Sequence, residues 1–105
     1  MTGSFATKVY ALCSQIPKGK ISTYGSIALA LNSSPRAVGQ ALRCNPFAPK
    51  VPCHRVVSSD GRIGGFMGMT KGKEIERKIT LLEKEGVVVQ QGKINAFEQV
   101  LFVFS

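Results

Sequence analysis

Apolar side chains recur every three or four positions at the start of the chain, at Phe5, Val9, Leu12, Cys13 and Ile16, which predicts an amphipathic helix. Residues 2–4 supply its cap region, and Pro17, Lys18, Gly19 and Lys20 end it. Ile21 then leads through Ser22 and Thr23 into residues 24–31, which are short, rich in small residues and apolar on one side. Asn32, Ser33 and Ser34 form a turn and a fresh N-cap, with Pro35 where a first helical turn tolerates it. Residues 36–43 make a second short helix with Val38, Ala41 and Leu42 inward, stopped at Cys44, Asn45 and Pro46. Two short helices across a tight polar turn, the second carrying Arg36, Gln40 and Arg43 outward, fit a helix-turn-helix over about residues 23–44. An ordinary helical hairpin fits the pattern equally.

Pro46 and Pro49 stiffen residues 45–50 into a loop that delivers the chain to an apolar stretch, 51–57. Ser58, Ser59, Asp60 and Gly61 signal a turn, and Gly64, Gly65 and Gly68 then surround Phe66, serving a close approach to a flat ligand or a mobile loop equally well. Ile75, Ile79 and Leu82, with Leu81 beside them, mark another helix; Gly86 stands at its C-terminal cap, and Glu74 with Lys78 is an i, i+4 pair of favourable orientation. Val87 to Val89, a Gln91-Gly92 turn and the apolar run 100–104 read as strands, with a small hairpin as one arrangement. Such an apolar end packs on the domain or on a partner. With no repeat and no linker, residues 1–105 read as one domain, mainly α with small β elements (α+β).

The composition is that of a globular chain, with 44% hydrophobic and 19% charged residues among 105. No apolar run is long enough to span a bilayer and the N-terminus lacks a secretory pattern, so an intracellular protein without membrane contact is expected. Three cysteines cannot all pair and do not stand at metal-ligand spacing, so reduced thiols, no metal and no cofactor are expected, with Cys13 in the core. Charge changes the picture most. Residues 1–59 hold no Asp or Glu, while Lys8, Lys18, Lys20, Arg36, Arg43, Lys50 and Arg55 are all basic. A half-chain of one sign suits a polyanion, nucleic acid foremost, although solubility or an acidic protein partner would serve as a reason too.

Cys53, His54 and Arg55 are the candidate chemistry, and His54 is the only histidine. A neighbouring base or cation raises the thiolate fraction of a cysteine, and the thiolate is the nucleophile. A buried strand with an inert cysteine is the plainer alternative, because consecutive strand residues face opposite ways; Pro52 makes a bend plausible.

Pro52-Cys53-His54-Arg55-Val56, preceded by Arg36-Ala37-Val38-Gly39 and Asn45-Pro46, resembles the O6-alkylguanine-DNA alkyltransferases, the suicide repair proteins. Ile16-Pro17-Lys18-Gly19, Thr23-Tyr24 and the run Leu81 to Gly86 extend the likeness in the same order over about residues 5–87. The resemblance implies a helix-turn-helix, winged-helix-like domain that binds double-stranded DNA containing O6-alkylguanine, as a monomer, and leaves other repair proteins open as partners. It implies that Cys53 accepts the alkyl group once and irreversibly, that His54 is the base acting through a bound water, and that Glu85 orients His54. It further implies that Asn45 supports the active-site turn and that Tyr24 helps swing the nucleotide out and donates a proton to the departing guanine. Arg36 takes the place of the extruded base.

By the same resemblance Tyr24, Gly25, Ser34, Pro35, Arg36, Ala37, Gly39, Gln40, Arg43 and Ser59 contact DNA in the minor groove, and Val56, Phe66, Met67 and Gly68 form the substrate pocket within and after the active-site loop 51–57. Phe66 stands where many members have Tyr, and residues 69–76 form a longer connection than usual. Most members carry a further domain N-terminal to this one. The chain is also similar to the alkyltransferase-like proteins, which bind alkylated DNA with another residue, often Trp, in place of the cysteine. A lesion sensor without transfer, and a helix-turn-helix regulator with a structural cysteine, are therefore the alternative expectations.

Overall fold

The computed structural model describes residues 4–43, 45, 50–64 and 72–104. Helix α1 spans Phe5–Cys13 and starts where Ser4 Oγ accepts the Thr7 amide at 3.2 Å. Strand β1, Ser22–Thr23, runs directly into α2, Tyr24–Ala30, because Thr23 Oγ1 caps that helix through the Ser26 amide at 2.9 Å. Asn32 closes α2 in the left-handed conformation, φ 53°, and the Ser33 amide reaches back to the Ala28 carbonyl at 2.8 Å. One residue on, Ser34 Oγ accepts the Ala37 amide and Pro35 opens α3, Pro35–Arg43. Caps on both sides of a four-residue turn make this the helix-turn-helix that the polar pattern allowed; Val38 and Leu42 face inward.

After the loop, a short 3₁₀ turn at Cys53–Arg55 feeds strand β2, Val56–Val57, which lies parallel to β1 with Ser22 opposite Val56 and Thr23 opposite Val57. Helix α4, Lys73–Lys84, ends where Gly86 takes φ 88°, with Gly86 N bonded to Glu83 O and Val87 N to Leu82 O, both 3.0 Å. Strands β3, Val89–Gln90, and β4, Lys93–Ile94, form an antiparallel hairpin, and α5 is the short helix Phe97–Val100.

Two apolar clusters meet along β1 and β2. Val9, Cys13, Ile16, Ile27, Val38, Leu42, Cys53 and Val56 join the first three helices. Ile21, Val57, Ile63, Leu82, Val87 and Ile94 join α4 to the hairpin. Each fully buried branched side chain contributes about 1.5–3 kcal/mol. Adjacent residues Val56 and Val57 thus serve different cores, one on each face of the two-residue strand.

The structure departs from the strand expected at residues 100–104. Val100 ends α5, and Leu101 makes one parallel bridge to Ile21, with Ile21 N on Val100 O at 2.9 Å and Phe102 N on Ile21 O at 2.7 Å. The strand partner is too short to propagate a ladder, so Phe102 and Phe104 instead stack edge to face, 5.3 Å apart, against the first cluster. Val87 likewise belongs to the cap of α4 and not to a strand. The Gln91-Gly92 hairpin turn is present, with φ of 52° and 76°. Among the described residues no helix is long and apolar enough to cross a membrane.

Candidate active site

Pro52, with φ −81° and ψ 66°, makes a three-residue turn in which Cys53 N bonds to Val51 O at 2.8 Å, and the 3₁₀ turn follows at once. This bend removes the objection that Cys53 and His54 would face opposite sides of a strand. Asn45, 2% exposed, holds the turn from behind: its Nδ2 donates to Val51 O at 3.0 Å, and its side chain also hydrogen-bonds Cys53. Burial pushes the Cys53 thiol above its ordinary pKa, while the Asn45 hydrogen bond and the charges of Lys78 and Arg77 pull it down.

His54 is 2% exposed, and its Nε2 lies 3.1 Å from Glu85 Oε2. Arg55 reaches the same carboxylate in a fork, Nε to Oε1 at 2.8 Å and Nη2 to Oε2 at 2.6 Å, while its Nη1 donates to Ile16 O at 2.7 Å. Glu85 is the residue between α4 and the left-handed Gly86, so the cap geometry itself aims the carboxylate. Burial alone would raise the Glu85 pKa, but the bonds from Arg55 and His54 carry it below the ordinary range. An ionised Glu85 requires Nε2–H on the imidazole, which leaves Nδ1 as the basic nitrogen. Nδ1 is buried and has no partner among the described protein atoms. Burial lowers the His54 pKa against the opposing pull of Glu85, so the ring is neutral near pH 7 and able to take a proton.

Lys78 is a site residue that the sequence pattern hid. Its side chain is wholly buried, donating from Nζ to Val56 O at 2.8 Å and to Ile63 O, and burial brings its pKa down to about 7. The expected i, i+4 pair with Glu74 is therefore replaced by an inward cation that ties α4 to β2 beside the thiol. The signal was present: positions 75, 78, 79 and 82 form one helical face, and Lys78 sits on its apolar stripe. Arg55 was likewise read only as a neighbour of the thiol, yet its guanidinium serves Glu85.

Tyr24 opens α2, and its ring lies over Gly64, where a Cβ would come within 3.3 Å of Tyr24 Cε2. Burial first, then the charges of Cys53 and Cys13, raise its pKa to about 12, so the phenol keeps its proton. Cys13 is also pushed to about 12 by burial, consistent with a core thiol. Gly25 packs on Ser59, whose Oγ would be 2.6 Å from any Cβ there. On α3, Arg36, Gln40 and Arg43 are exposed, Ser34 and Pro35 form the start, and Ala37 is half-buried. Among the described residues, apart from its chain neighbours and the backbone of its own helix, nothing lies within 4 Å of a Cβ placed on Gly39. No packing among the described residues therefore calls for a glycine there, which costs about 1 kcal/mol against Ala in a helix. The Val56 side chain is fully buried in the first cluster, and the Val56 backbone carbonyl accepts from Lys78 Nζ. Phe66, Met67 and Gly68, and residues 46–49 of the proline loop, lie outside the described residues. Among the described residues no group of three or more His, Cys, Asp or Glu is placed to hold a metal.

Comparison with known proteins agrees with this geometry. Residues 4–87 match the family model of the 6-O-methylguanine DNA methyltransferase DNA-binding domain. A methylated-DNA–protein-cysteine methyltransferase of Thermococcus kodakarensis is 50% identical over 84 residues, covering 79% of this chain and 45% of the relative. One from Metallosphaera sedula is 44% identical over 94 residues, covering 90% and 56%. The chain thus spans about half the length of the curated relatives it matches. The crystal structure of the O6-methylguanine-DNA methyltransferase of Pyrococcus kodakaraensis superposes with a TM-score of 0.70 at 47% identity, over 82% of this chain and 48% of that one. S. pombe Atl1, solved with damaged DNA containing O6-carboxymethylguanine, superposes with a TM-score of 0.80 at 35% identity, over 93% and 94%.

Proposed function

The chain belongs to the 6-O-methylguanine DNA methyltransferase family, and from that premise we propose that it flips an O6-alkylated guanine out of duplex DNA and takes the alkyl group onto Cys53. The alkyl carbon is inaccessible inside the stack, so the nucleotide leaves it at a cost of a few kcal/mol, less where the pair is already weakened. The exposed face of α3 suits the minor groove: Gly39 and Ala37 let the helix axis approach, and Arg36 fills the space the base vacates. Tyr24, at the start of α2 and beside Gly64, faces the rotating nucleotide.

In the transfer, Cys53 loses its proton to His54 Nδ1 through a bridging water, and Glu85 holds the ring in the required tautomer and stabilises the imidazolium. Sγ then forms a bond to the alkyl carbon as the carbon–O6 bond breaks, the electron pair moves onto the guanine, and Tyr24 passes it a proton that the His54 imidazolium returns to the phenolate through water. The thioether has no route back, so one molecule repairs one lesion. Lys78 and Asn45 favour the thiolate, and burial holds the resting thiol protonated until the site is engaged.

The observation that carries this reading is the part-buried His54–Glu85–Arg55 network, built on the same 3₁₀ turn that carries the free, buried Cys53. Mixing the protein with a duplex containing one O6-methylguanine and mapping the mass by peptide analysis tests it. One methyl group on Cys53, absent in Cys53→Ala, is the expected result. The match to Atl1 along nearly its whole chain favours a second reading, lesion binding without transfer. No gain of mass with retained preference for the lesion-bearing duplex would select it.

A further inference from the structure

The segment after residue 87, beyond the family match, attaches itself to the turn that follows the active-site strand. Ile63 N donates to Gly92 O at 2.9 Å and Ile94 N to Gly61 O at 2.8 Å, which sets Arg62 opposite Lys93 in an antiparallel bridge. Residues directly opposed in such a pair send their side chains to one face, with Cβ atoms about 4.5–5.5 Å apart, where like charges repel. Both side chains are exposed. Among the described residues the carboxylate within ion-pair distance of either is that of Asp60, 3.5 Å from Arg62 Nε, with both partners about two-thirds exposed at 63% and 67%. An exposed pair of that length offsets little.

The same turn reaches the side of the molecule that presents Tyr24. Thr23 pairs with Val57, Ser59 Oγ rests on Gly25, and Ser58 N donates to Arg62 O at 2.9 Å. Tyr24 with Gly25, then Ser59, then Arg62 with Lys93 therefore follow one another along one flank. The hairpin tip adds Gln90 and Gln91, exposed and uncharged, and with Lys93, Ile94 and Asn95 they line an open recess. Gln91 holds φ 52°, a conformation with a cost for a residue bearing a side chain.

We propose that this edge, Arg62 and Lys93 with Gln90 and Gln91 beside them, is an accessory contact for the sugar–phosphate backbone of the duplex, flanking the flipped nucleotide. The inference rests on the DNA-repair reading above. A phosphate set between the two cations turns their mutual repulsion into a shared attraction, and amide side chains donate to the oxygens on either side. The contact reads no base, so it holds the duplex wherever the lesion lies.

Anisotropy titrations of an O6-methylguanine duplex over a salt series test this. In Arg62→Gln/Lys93→Gln the slope of log Kobs against log salt falls in magnitude by about 0.9, the share of the one phosphate the two cations hold, with binding roughly 5–10-fold weaker near 0.1 M salt. Arg62→Lys/Lys93→Arg keeps the wild-type slope. Asp60→Asn, which retains an oxygen for the Arg62 amide but removes the opposing charge, tightens binding. The melting temperature of the double glutamine variant stays level or rises, since a repulsion has gone; should it fall, Lys93→Gln alone carries the test with half the slope change. A wild-type slope in the glutamine variants, with the wild-type protein still binding the duplex, overturns the accessory contact and leaves the repair reading standing. A wild-type protein that fails to bind the duplex overturns both.

Discussion

Replacing Glu85 by Gln keeps the side-chain shape and removes the charge that three donors share. Arg55 gives Glu85 two short bonds and His54 a third, and the carboxylate side chain is 12% exposed. A charge-assisted bond is worth about 1.5–3 kcal/mol net against about 0.5–1.5 for a neutral one, so three of them lose roughly 3 kcal/mol in all. The amide also places its own N–H₂ against Arg55 or His54, so one of the three bonds is lost outright. Arg55 is 16% exposed and retains some hydration, which keeps the total near the low end of the cost of orphaning a buried charge, about 3–5 kcal/mol. For a domain of this size that is a fall in Tm of about 10–20 °C. Below that temperature the variant is folded and the chemistry can be read.

Transfer to Glu85→Gln should slow by about 100-fold or more, the scale of a misdirected general base. The assay is single-turnover reaction with free O6-benzylguanine, followed by mass on Cys53, beside a thermal melt. Acid sensitivity gives a second readout. Because the folded Glu85 pKa lies below its unfolded value of about 4.3, its stabilisation is present above that pH and is lost as pH falls through the lower folded pKa. The Gln variant lacks that acid-side loss. A folded Glu85→Gln protein that transfers as fast as wild type refutes the assignment of Glu85 to His54 activation.

Three other outcomes follow from named groups. Cys53→Ala should abolish transfer and retain duplex binding; a methylated Ala variant would exclude Cys53 as acceptor. Arg36→Ala should slow repair of duplex about 10–100-fold, the worth of a few kcal/mol of flipping, while sparing reaction with the free base; equal losses on both substrates would remove Arg36 from flipping. Lys78 has a folded pKa near 7 against about 10.4 unfolded, so wild-type stability gains from this group as pH rises across that window. Lys78→Met removes the gain, so urea midpoints of variant and wild type should diverge from pH 6 to pH 9; parallel midpoints would show that Lys78 does not titrate in its buried site.

Local chemistry made much of this molecule legible in advance. Ser4 and Ser34 as caps, Pro35 at a helix start and Gly86 at a helix stop each act on atoms within a few residues, so their effect travels with the sequence. Glu85 was pointed to by the family resemblance and not by local chemistry, although the cap that aims its carboxylate is local. Lys78 was misplaced because its spacing from Glu74 is a local cue, whereas its partners are carbonyls of residues 22 and 15 positions away that only packing brings near. The apolar run at 100–104 has strand propensity, but a strand needs an edge to pair with, and the fold offers it one bridge at Ile21. The fork of Arg55 on Glu85 joins residues 30 apart in sequence, and the opposition of Arg62 to Lys93 follows from how a hairpin docks on a turn. The chain alone thus indicated α1 to α4 and the caps that bound α2, α3 and α4, and it singled out Cys53 as the candidate nucleophile, but it did not show α5 or the end of α1 at Cys13. Which buried polar groups face one another was decided by tertiary packing, since that depends on the one arrangement that fills both cores while leaving each donor an acceptor.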